Sequence, residues 1–468
     1  MKRWNVIFVL IDALRADALG CYGCRYKPSP NIDKIAEEGV LFKNAFSCSE
    51  CTTPSLTSIF SGRYPRSHGI MRLHPSSKEI SILNSLKVKF LPEILSSAGY
   101  TTLALDWVGR WLKRGYNYYY GMPTSKFVES SVFKRLLQIT SYLPSPLYYI
   151  VRAAWRKIYP HFLNVSNIED AETFTNLAID LIRHNRSEKF FLFIHYWDTH
   201  VPYNAPNDFI VPVNEGKNLK ISDILRKIAH PTIRMKIRSF TKGIKTADRA
   251  IAKYYGAIKY IDSEIGKLMD NLSDMGMIDN TLIILTSDHG ESLIEHEIYF
   301  SHHGLYDEVI HVPLVFKGPG IPEGIEIDSL VQHVDIMPTI LDILGIKWNR
   351  MDGKSLMPLI RGDMEKLRSA VYMEEASVER KMAIRTLDYK YICAPSKEEA
   401  VCKECGRIHG GVEELYDLKK DPFETNNIIN QEREISEELR KSLFTWIRYL
   451  NQKREEELIR MKIKKLKV

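Results

Sequence analysis

The sequence lacks an apolar run of the roughly 18–20 residues that a membrane span needs, and its 468 residues show no internal repeat or low-complexity tract. It also lacks a strong charge of one sign: Lys+Arg 65 against Asp+Glu 58 leave +7 over the whole chain. That mild excess suits an anionic substrate or surface and gives no support for nucleic-acid binding. No cleavable leader is expected either. The basic Met1-Lys2-Arg3 is followed by a short apolar run, Val6 to Ile11, which enters Asp12 with no small-residue cleavage site. The run reads as a first buried strand, and a cytoplasmic protein is expected. With 44% hydrophobic and 26% charged residues, the disordered, collagenous and small disulfide-scaffold classes are excluded.

What is present reads as alternating strands and helices. Asn5–Ile11, Phe190–His195 and Thr281–Thr286 are buried-strand runs. Between them, Ser29-Pro30 opens a helix from Asn31 that Gly39 closes. Phe174, Ala178 and Leu181 share a helical face, and a long helical pattern runs from about Asp248 to Met275. The expected fold is α/β: a large, mainly parallel sheet sandwiched by helices. From about Glu365 the texture changes to short strand-like pieces, Val371–Met373, Met382–Arg385 and Tyr389–Cys393, then a charged helix near Ser436. We therefore expect a catalytic domain over 1–364 and a small antiparallel sheet plus helix over 365–468. Val128–Phe162 and the basic Lys217–Lys245 read as irregular insertions around a substrate entrance.

In such sheets the chemistry sits at the carboxyl ends of strands. Asp12, the stretch His195–His200 and Asp288-His289 all fall there. A short helix after Cys51, with Pro54 in its first turn and Gly62 past its end, puts the Thr52 hydroxyl at a helix N-terminus, where amides and the macrodipole favour an anion. Alone, Thr52 or Thr53 would read as an N-cap. Beside Asp12, Asp288 and His289, a metal site becomes the better reading.

The chain resembles the sulfatase family of the alkaline phosphatase superfamily over nearly its whole length. The resemblance rests on Ile11-Asp-Ala-Leu-Arg-Ala-Asp17, Leu19-Gly-Cys-Tyr-Gly23 and Ser29-Pro-Asn-Ile-Asp33. It continues through Gly62-Arg-Tyr-Pro65, His200-Val-Pro-Tyr203 and Asp279-Asn-Thr-Leu282. Thr286-Ser-Asp-His-Gly-Glu291, Val334-Asp-Ile-Met-Pro-Thr339 and Glu414-Leu-Tyr-Asp-Leu-Lys-Lys-Asp-Pro422 complete it. It implies an ester hydrolase in which Asp12, Thr52, Asp288 and His289 hold a divalent metal. His200 would contact the ester near its leaving oxygen. His302, with His303 as the next candidate, takes the place of the family's substrate-binding lysine.

The departures set the expected chemistry. Family sulfatases carry Cys or Ser two residues before the Pro and Arg two after it, and the first residue is converted to formylglycine. Here those positions are Thr52 and Leu56, and Cys51 lies one residue too early. Threonine cannot give the aldehyde, so no formylglycine is expected. The paired aspartates after the first strand shrink to Asp12 followed by Ala13, and Asp106-Trp-Val-Gly109 replaces a segment carrying sulfate-gripping Lys and His. These features resemble the threonine-nucleophile branch. The expected substrate is an anionic phosphate or sulfate ester, a phosphoester preferred, cleaved by a diesterase or phosphoryl-group transferase. A nitrogen donor and one lost carboxylate favour manganese or zinc over calcium.

Two other functions stay open at this point: a sulfuric-ester hydrolase working without formylglycine, and an inactive anion-binding module. A second metal held by Asp198, His200 and His302 is a rival arrangement. Phe133–Leu137 and Leu147–Lys157 interleave aromatic and basic residues and, with the basic tail Lys453–Val468, leave membrane-surface or glycan contact open. Finally, Cys21/Cys24 and Cys48/Cys51 read as a zinc knot, a disulfide or plain buried thiols, with Cys393, Cys402, Cys405 and His409 as a further set.

Overall fold

The computed structural model describes residues 4–121, 170–214 and 219–466. The aromatic-basic stretches Phe133–Leu137 and Leu147–Lys157 lie outside them, as does the whole of Val128–Phe162. Eight strands form one sheet in the order Tyr118–Tyr120, Thr101–Leu105, Phe190–Tyr196, Asn5–Ile11, Thr281–Thr286, Leu314–Lys317, Val40–Phe42 and Ile325–Ile327. All neighbours pair in parallel except Leu314–Lys317, which runs against both of its partners. The large α/β sheet with helices on both faces is as expected from the sequence.

The first strand shows why both faces are covered. Side chains alternate across a strand, so Ile7, Val9 and Ile11 enter one apolar cluster while Val6, Phe8 and Leu10 enter another. On the first face lie the helices Ala171–His184 and Ala247–Asp274. On the second lie Thr52–Ser61, through Leu56, Ile59 and Phe60, and Ile336–Ile343. The continuous Val/Ile/Leu/Phe character of the central strands follows from this double burial.

The basic stretch after Lys217 is more regular than expected. Ile221–Lys227 and Pro231–Phe240 are helical because Ile221, Ile224, Ile228 and Ile237 supply buried anchors on the first-face core. Beyond it, Val371–Glu374, Met382–Arg385, Tyr389–Cys393 and Glu413–Asp417 form a four-stranded antiparallel sheet, one strand more than the pattern suggested. One face packs Val371, Met373 and Ile392 onto Phe46, Tyr306 and Ile310 of the large unit. The other receives Leu439, Leu443 and Ile447 of the helix Arg433–Leu466. That helix then reaches the segment Pro65–His68, where Arg454 donates to the Arg66 carbonyl at 2.9 Å and Arg63 pairs with Glu457. No helix among the described residues is long and apolar enough to cross a membrane.

Candidate active site and metal centre

Strand register assembles most of the site. Leu10 pairs with Thr286 on one side and with His195 on the other, and Leu105 pairs with Ile194. Asp12, Asp106, His195 and Asp288 therefore arrive side by side at the carboxyl edge of the sheet. The chain turns sharply after Asp12, with Ala13 at φ +55°. The turn aims the Ala13 amide at Asp288 Oδ1 (3.2 Å) and the Leu14 amide at Ser287 Oγ (2.9 Å). The helix Thr52–Ser61 starts at the same edge. Cys51 is its N-cap, and Gly62 ends it in the left-handed conformation that glycine tolerates.

Donor atoms of Asp12, Asp288 and His289 lie within 4.8 Å of one another, all fully buried. His289 Nδ1 donates to the Gly290 carbonyl at 2.9 Å, so the lone pair sits on Nε2. That atom is 3.3 Å from Thr52 Oγ1 and 3.3 Å from Asp288 Oδ2. Neither oxygen of Asp12 completes a hydrogen bond, nor does Asp288 Oδ2. Buried carboxylate oxygens without partners are costly. Three of them facing one imidazole lone pair and one hydroxyl fit a divalent cation. The donor set is oxygen-rich with one nitrogen, held by residues from three separate segments.

The electrostatics agree with an anionic cradle. Burial alone would raise the Asp12 carboxyl, but the histidines His195, His200 and His289 outweigh it and hold the group well below the usual range. Asp288 is pushed up by burial and by the neighbouring Asp12 charge. Burial opposes a charge on His289, yet Asp288 and Asp12 raise it. A cation at this point takes over that role and leaves the imidazole neutral, as a ligand must be.

Behind Asp12 stands a polar chain, made of residues that the sequence placed near the sheet edge without a role. His195 is completely buried, with Nε2 3.5 Å from Asp12 Oδ2 and Nδ1 2.7 Å from Asp106 Oδ1. Against the penalty of burial, the two carboxylates raise it to about 9. Tyr119 donates to the other oxygen of Asp106. A carboxylate–histidine–carboxylate chain of this kind fixes the orientation of a metal-binding group. The signal available was alternation: His195 is a lone polar residue in a strand of apolar ones, Phe-Phe-Leu-Phe-Ile-His-Tyr.

The histidines expected near the substrate part company. His200 and His302 both line the site, with ring centroids 5.9 Å apart, and His302 stacks on His289 at 4.3 Å. Each commits Nδ1 to a backbone carbonyl, Val201 or Glu50, at 2.9 Å and presents Nε2. Burial lowers both, helped by the Lys236 charge. His303 is not with them. Its Nε2 is 3.4 Å from Cys402 Sγ in a separate cluster, because adjacent residues of a non-helical stretch face different ways. The rival second-metal set does not assemble either. Asp198 faces the start of the helix Ala171–His184, accepting from the Ala171 amide at 3.4 Å, and burial raises it to about 7.

Two cations were not foreseen. Arg110 stands 3.5 Å from Thr53 Oγ1, with its guanidinium also bound to the Leu73 carbonyl and His74. Lys236, exposed on the helix Pro231–Phe240, acts on His200, His302 and Glu291. Leu56, at the family's arginine position, is buried in the apolar core. Of the three readings of Cys21, Cys24, Cys48 and Cys51, the zinc knot and the disulfide are not formed, and the thiols are free. Cys24 packs in the first-face core, Cys48 packs with Tyr64 and Val334, and Cys51 Sγ contacts Ser377 Oγ at 3.3 Å. Cys393 is likewise packed among Met382, Ile384 and Leu415.

The fold is that of the alkaline phosphatase superfamily, and the buried donors at the sheet edge fit a divalent metal. The chain belongs to the sulfatase family: the family model "Sulfatase" matches residues 4–346, and "N-sulphoglucosamine sulphohydrolase, C-terminal" matches residues 295–452. It is a hydrolase acting on ester bonds, in a family whose members bind a divalent metal ion. It is 26% identical to an arylsulfatase of Clostridium perfringens, over 94% of this chain and 93% of that one. An N-acetylglucosamine-6-O-sulfatase of Bacteroides thetaiotaomicron is 24% identical over 92% and 83%. Among solved structures, the phosphonate monoester hydrolase of Agrobacterium radiobacter superposes with a TM-score of 0.69 at 20% identity, covering 96% of each chain.

Proposed function

We propose that the protein cleaves phosphate or sulfate esters with Thr52 as the nucleophile, phosphoesters being preferred. The observation that carries this reading is the residue at the helix start. Thr52 Oγ1 is the hydroxyl that faces His289 and the unpartnered carboxylates, and threonine has no route to the formylglycine aldehyde. Cys51 does not substitute for it, since its thiol is buried against Ser377 and burial raises it well above the ordinary range.

Asp12, Thr52, Asp288 and His289 would hold a divalent metal, manganese or zinc in preference to calcium. When bound, it would supply Lewis-acid polarisation of the ester and a lower pKa for the threonine hydroxyl. The rest is done by the chain. Thr52 Oγ, its hydroxyl proton released to solvent, bonds to the central phosphorus (or sulfur) as the bond to the leaving oxygen breaks on the opposite side. The amides at the start of the helix Thr52–Ser61 face the charge that builds on the remaining oxygens. His200 presents Nε2 towards the leaving oxygen. An incoming anion raises its basicity, so that it carries the proton the leaving group needs. Water then displaces Thr52 from the covalent ester, one of its protons passing to His200 Nε2 while Thr52 Oγ regains a proton from solvent. Arg110 and Lys236 supply positive charge at the entrance.

A second reading is sulfuric-ester hydrolysis by the unmodified threonine, favoured by relatives named as sulfatases, such as the arylsulfatase of Clostridium perfringens. Aryl phosphate mono- and diesters, a phosphonate monoester and an aryl sulfate, compared with added manganese or zinc, separate the two. Faster turnover of the sulfate overturns the phosphoester preference.

A further inference from the structure

Away from Thr52, a second cluster gathers nitrogen and sulfur. His303 Nε2 lies 3.4 Å from Cys402 Sγ, and His409 Nε2 lies 3.1 Å from Cys405 Sγ. Cys405 lies one tight turn after Cys402, its amide donating to Cys402 Sγ. The donor atoms of His303, Cys402, His409 and Glu379 fall within 4.8 Å of one another, and all four residues are buried. The two imidazole rings stand 5.4 Å apart.

The surroundings orient these donors inward. His409 Nδ1 is tied to the His296 carbonyl at 2.9 Å and His303 Nδ1 to Ser301 Oγ at 3.1 Å, so both rings turn Nε2 towards sulfur. Fixing one ring nitrogen in this way is what histidine ligands of metals need. In Cys402-Lys-Glu-Cys405-Gly406 the amides of Glu404 and Cys405 both donate to Cys402 Sγ at 3.4 Å. The Gly406 amide returns to the Cys402 carbonyl at 2.8 Å, with Gly406 at φ +77°. Amides aimed at a sulfur favour the thiolate over the thiol. Glu379 pairs its Oε2 with Lys381 at 3.1 Å and brings Oε1, which completes no hydrogen bond, to 3.9 Å from His409 Nε2.

We infer that Cys402, Cys405, His409 and His303 form a structural zinc site. Cys-x2-Cys-x3-His on one loop has the ligand spacing of such sites, and the fourth ligand comes from 99 residues away. Tetrahedral zinc with ordinary bond lengths puts sulfur and nitrogen ligands about 3.6 Å apart, close to the separations seen here. Two thiolates and two neutral imidazoles close the coordination sphere, so the ion does no chemistry. It ties the Cys402–His409 loop to the segment that carries His302 into the active site. Binding deprotonates both thiols and releases the two protons to solvent.

The test is metal analysis of the full chain purified without chelator, as wild type, Asp12→Asn/Asp288→Asn and Cys402→Ser. Asp12→Asn/Asp288→Asn is expected to retain one zinc per chain, and Cys402→Ser to hold one zinc fewer than wild type. Cobalt-substituted protein should show a thiolate-to-cobalt charge-transfer band that survives Asp12→Asn/Asp288→Asn, since the site at Thr52 contains no sulfur. If Cys402→Ser does not fold, wild type decides the matter: a thiol-blocking mercurial should release the zinc in step with modification of two cysteines. Zinc-free wild type with all seven thiols titrating without chelator overturns the proposal, as does a cobalt spectrum with no sulfur band.

Discussion

The two clusters differ in the way that separates working sites from structural ones. At the sheet edge the donors are carboxylates, one imidazole and a hydroxyl, and several oxygens have no partner. In the cluster built on the Cys402 loop the donors are thiols and imidazoles already aimed at each other. Hard oxygen donors with a free hydroxyl suit an ion that polarises an ester. Soft sulfur donors suit zinc in a closed shell. Neighbouring residues feed both: His302 stacks on His289, and His303 faces Cys402. The lesson is that one extended step of backbone can serve chemistry and scaffolding at once.

The comparison can be broken most directly at the nucleophile. Thr52→Ala should lower turnover by about a thousand-fold or more, while far-ultraviolet circular dichroism and the zinc at Cys402 stay unchanged. Retained activity would move the nucleophile elsewhere. Next in size, Asp106→Asn removes the charge that keeps His195 protonated beside Asp12. Affinity for the catalytic metal should fall about 10–100-fold, read by isothermal titration of chelator-treated protein. Affinity for zinc at the sulfur cluster should not move.

On the scaffold side, Leu443 is fully buried between the four-stranded sheet and the helix Arg433–Leu466. Leu443→Ala should cost about 2–5 kcal/mol of local stability, measured by urea unfolding or by hydrogen exchange in that helix. A change in the pH profile of turnover without such loss would show that the terminal sheet and the active site are coupled.

The finest contrast is in pH dependence of the metal-free protein. His195 is raised to about 9 despite its burial, by Asp106 and Asp12. Its contribution to stability is fully present below about 6.5 and is lost as pH rises through about 9. His303 goes the other way, pushed down to about 3 by burial. The unfolded chain there binds more protons, so stability falls as pH drops from about 6.5 towards 3. His195→Gln should flatten the alkaline limb of a thermal-melt series and His303→Gln the acid limb. If each variant alters the opposite limb, the assigned directions are wrong.

The sequence by itself determined the sheet and the composition of its edge. Uninterrupted apolar runs at Asn5–Ile11 and Thr281–Thr286 cannot sit anywhere but in a doubly covered sheet, and the polar residues that end them must then lie at one rim. Thr52 was legible because Pro54 and Gly62 bracket a helix. The antiparallel pieces after Glu365 were legible too, though Glu413–Asp417 was not, since its alternation is masked by charged residues that the fold pairs internally, as Glu414 does with Lys381. Only the tertiary structure decided the partners. Register, which no local pattern encodes, placed His195 between Asp12 and Asp106. Cys21 and Cys24 pack on the first-face core, Cys48 packs with Tyr64 and Val334, and Cys51 faces Ser377, so the four whose spacing allowed a knot do not meet. The same long-range packing brought His303 to Cys402, 99 residues away. Periodicity reports which face of an element is buried. It carries no information about what lies across the gap, because that is fixed by contacts between segments far apart in the chain.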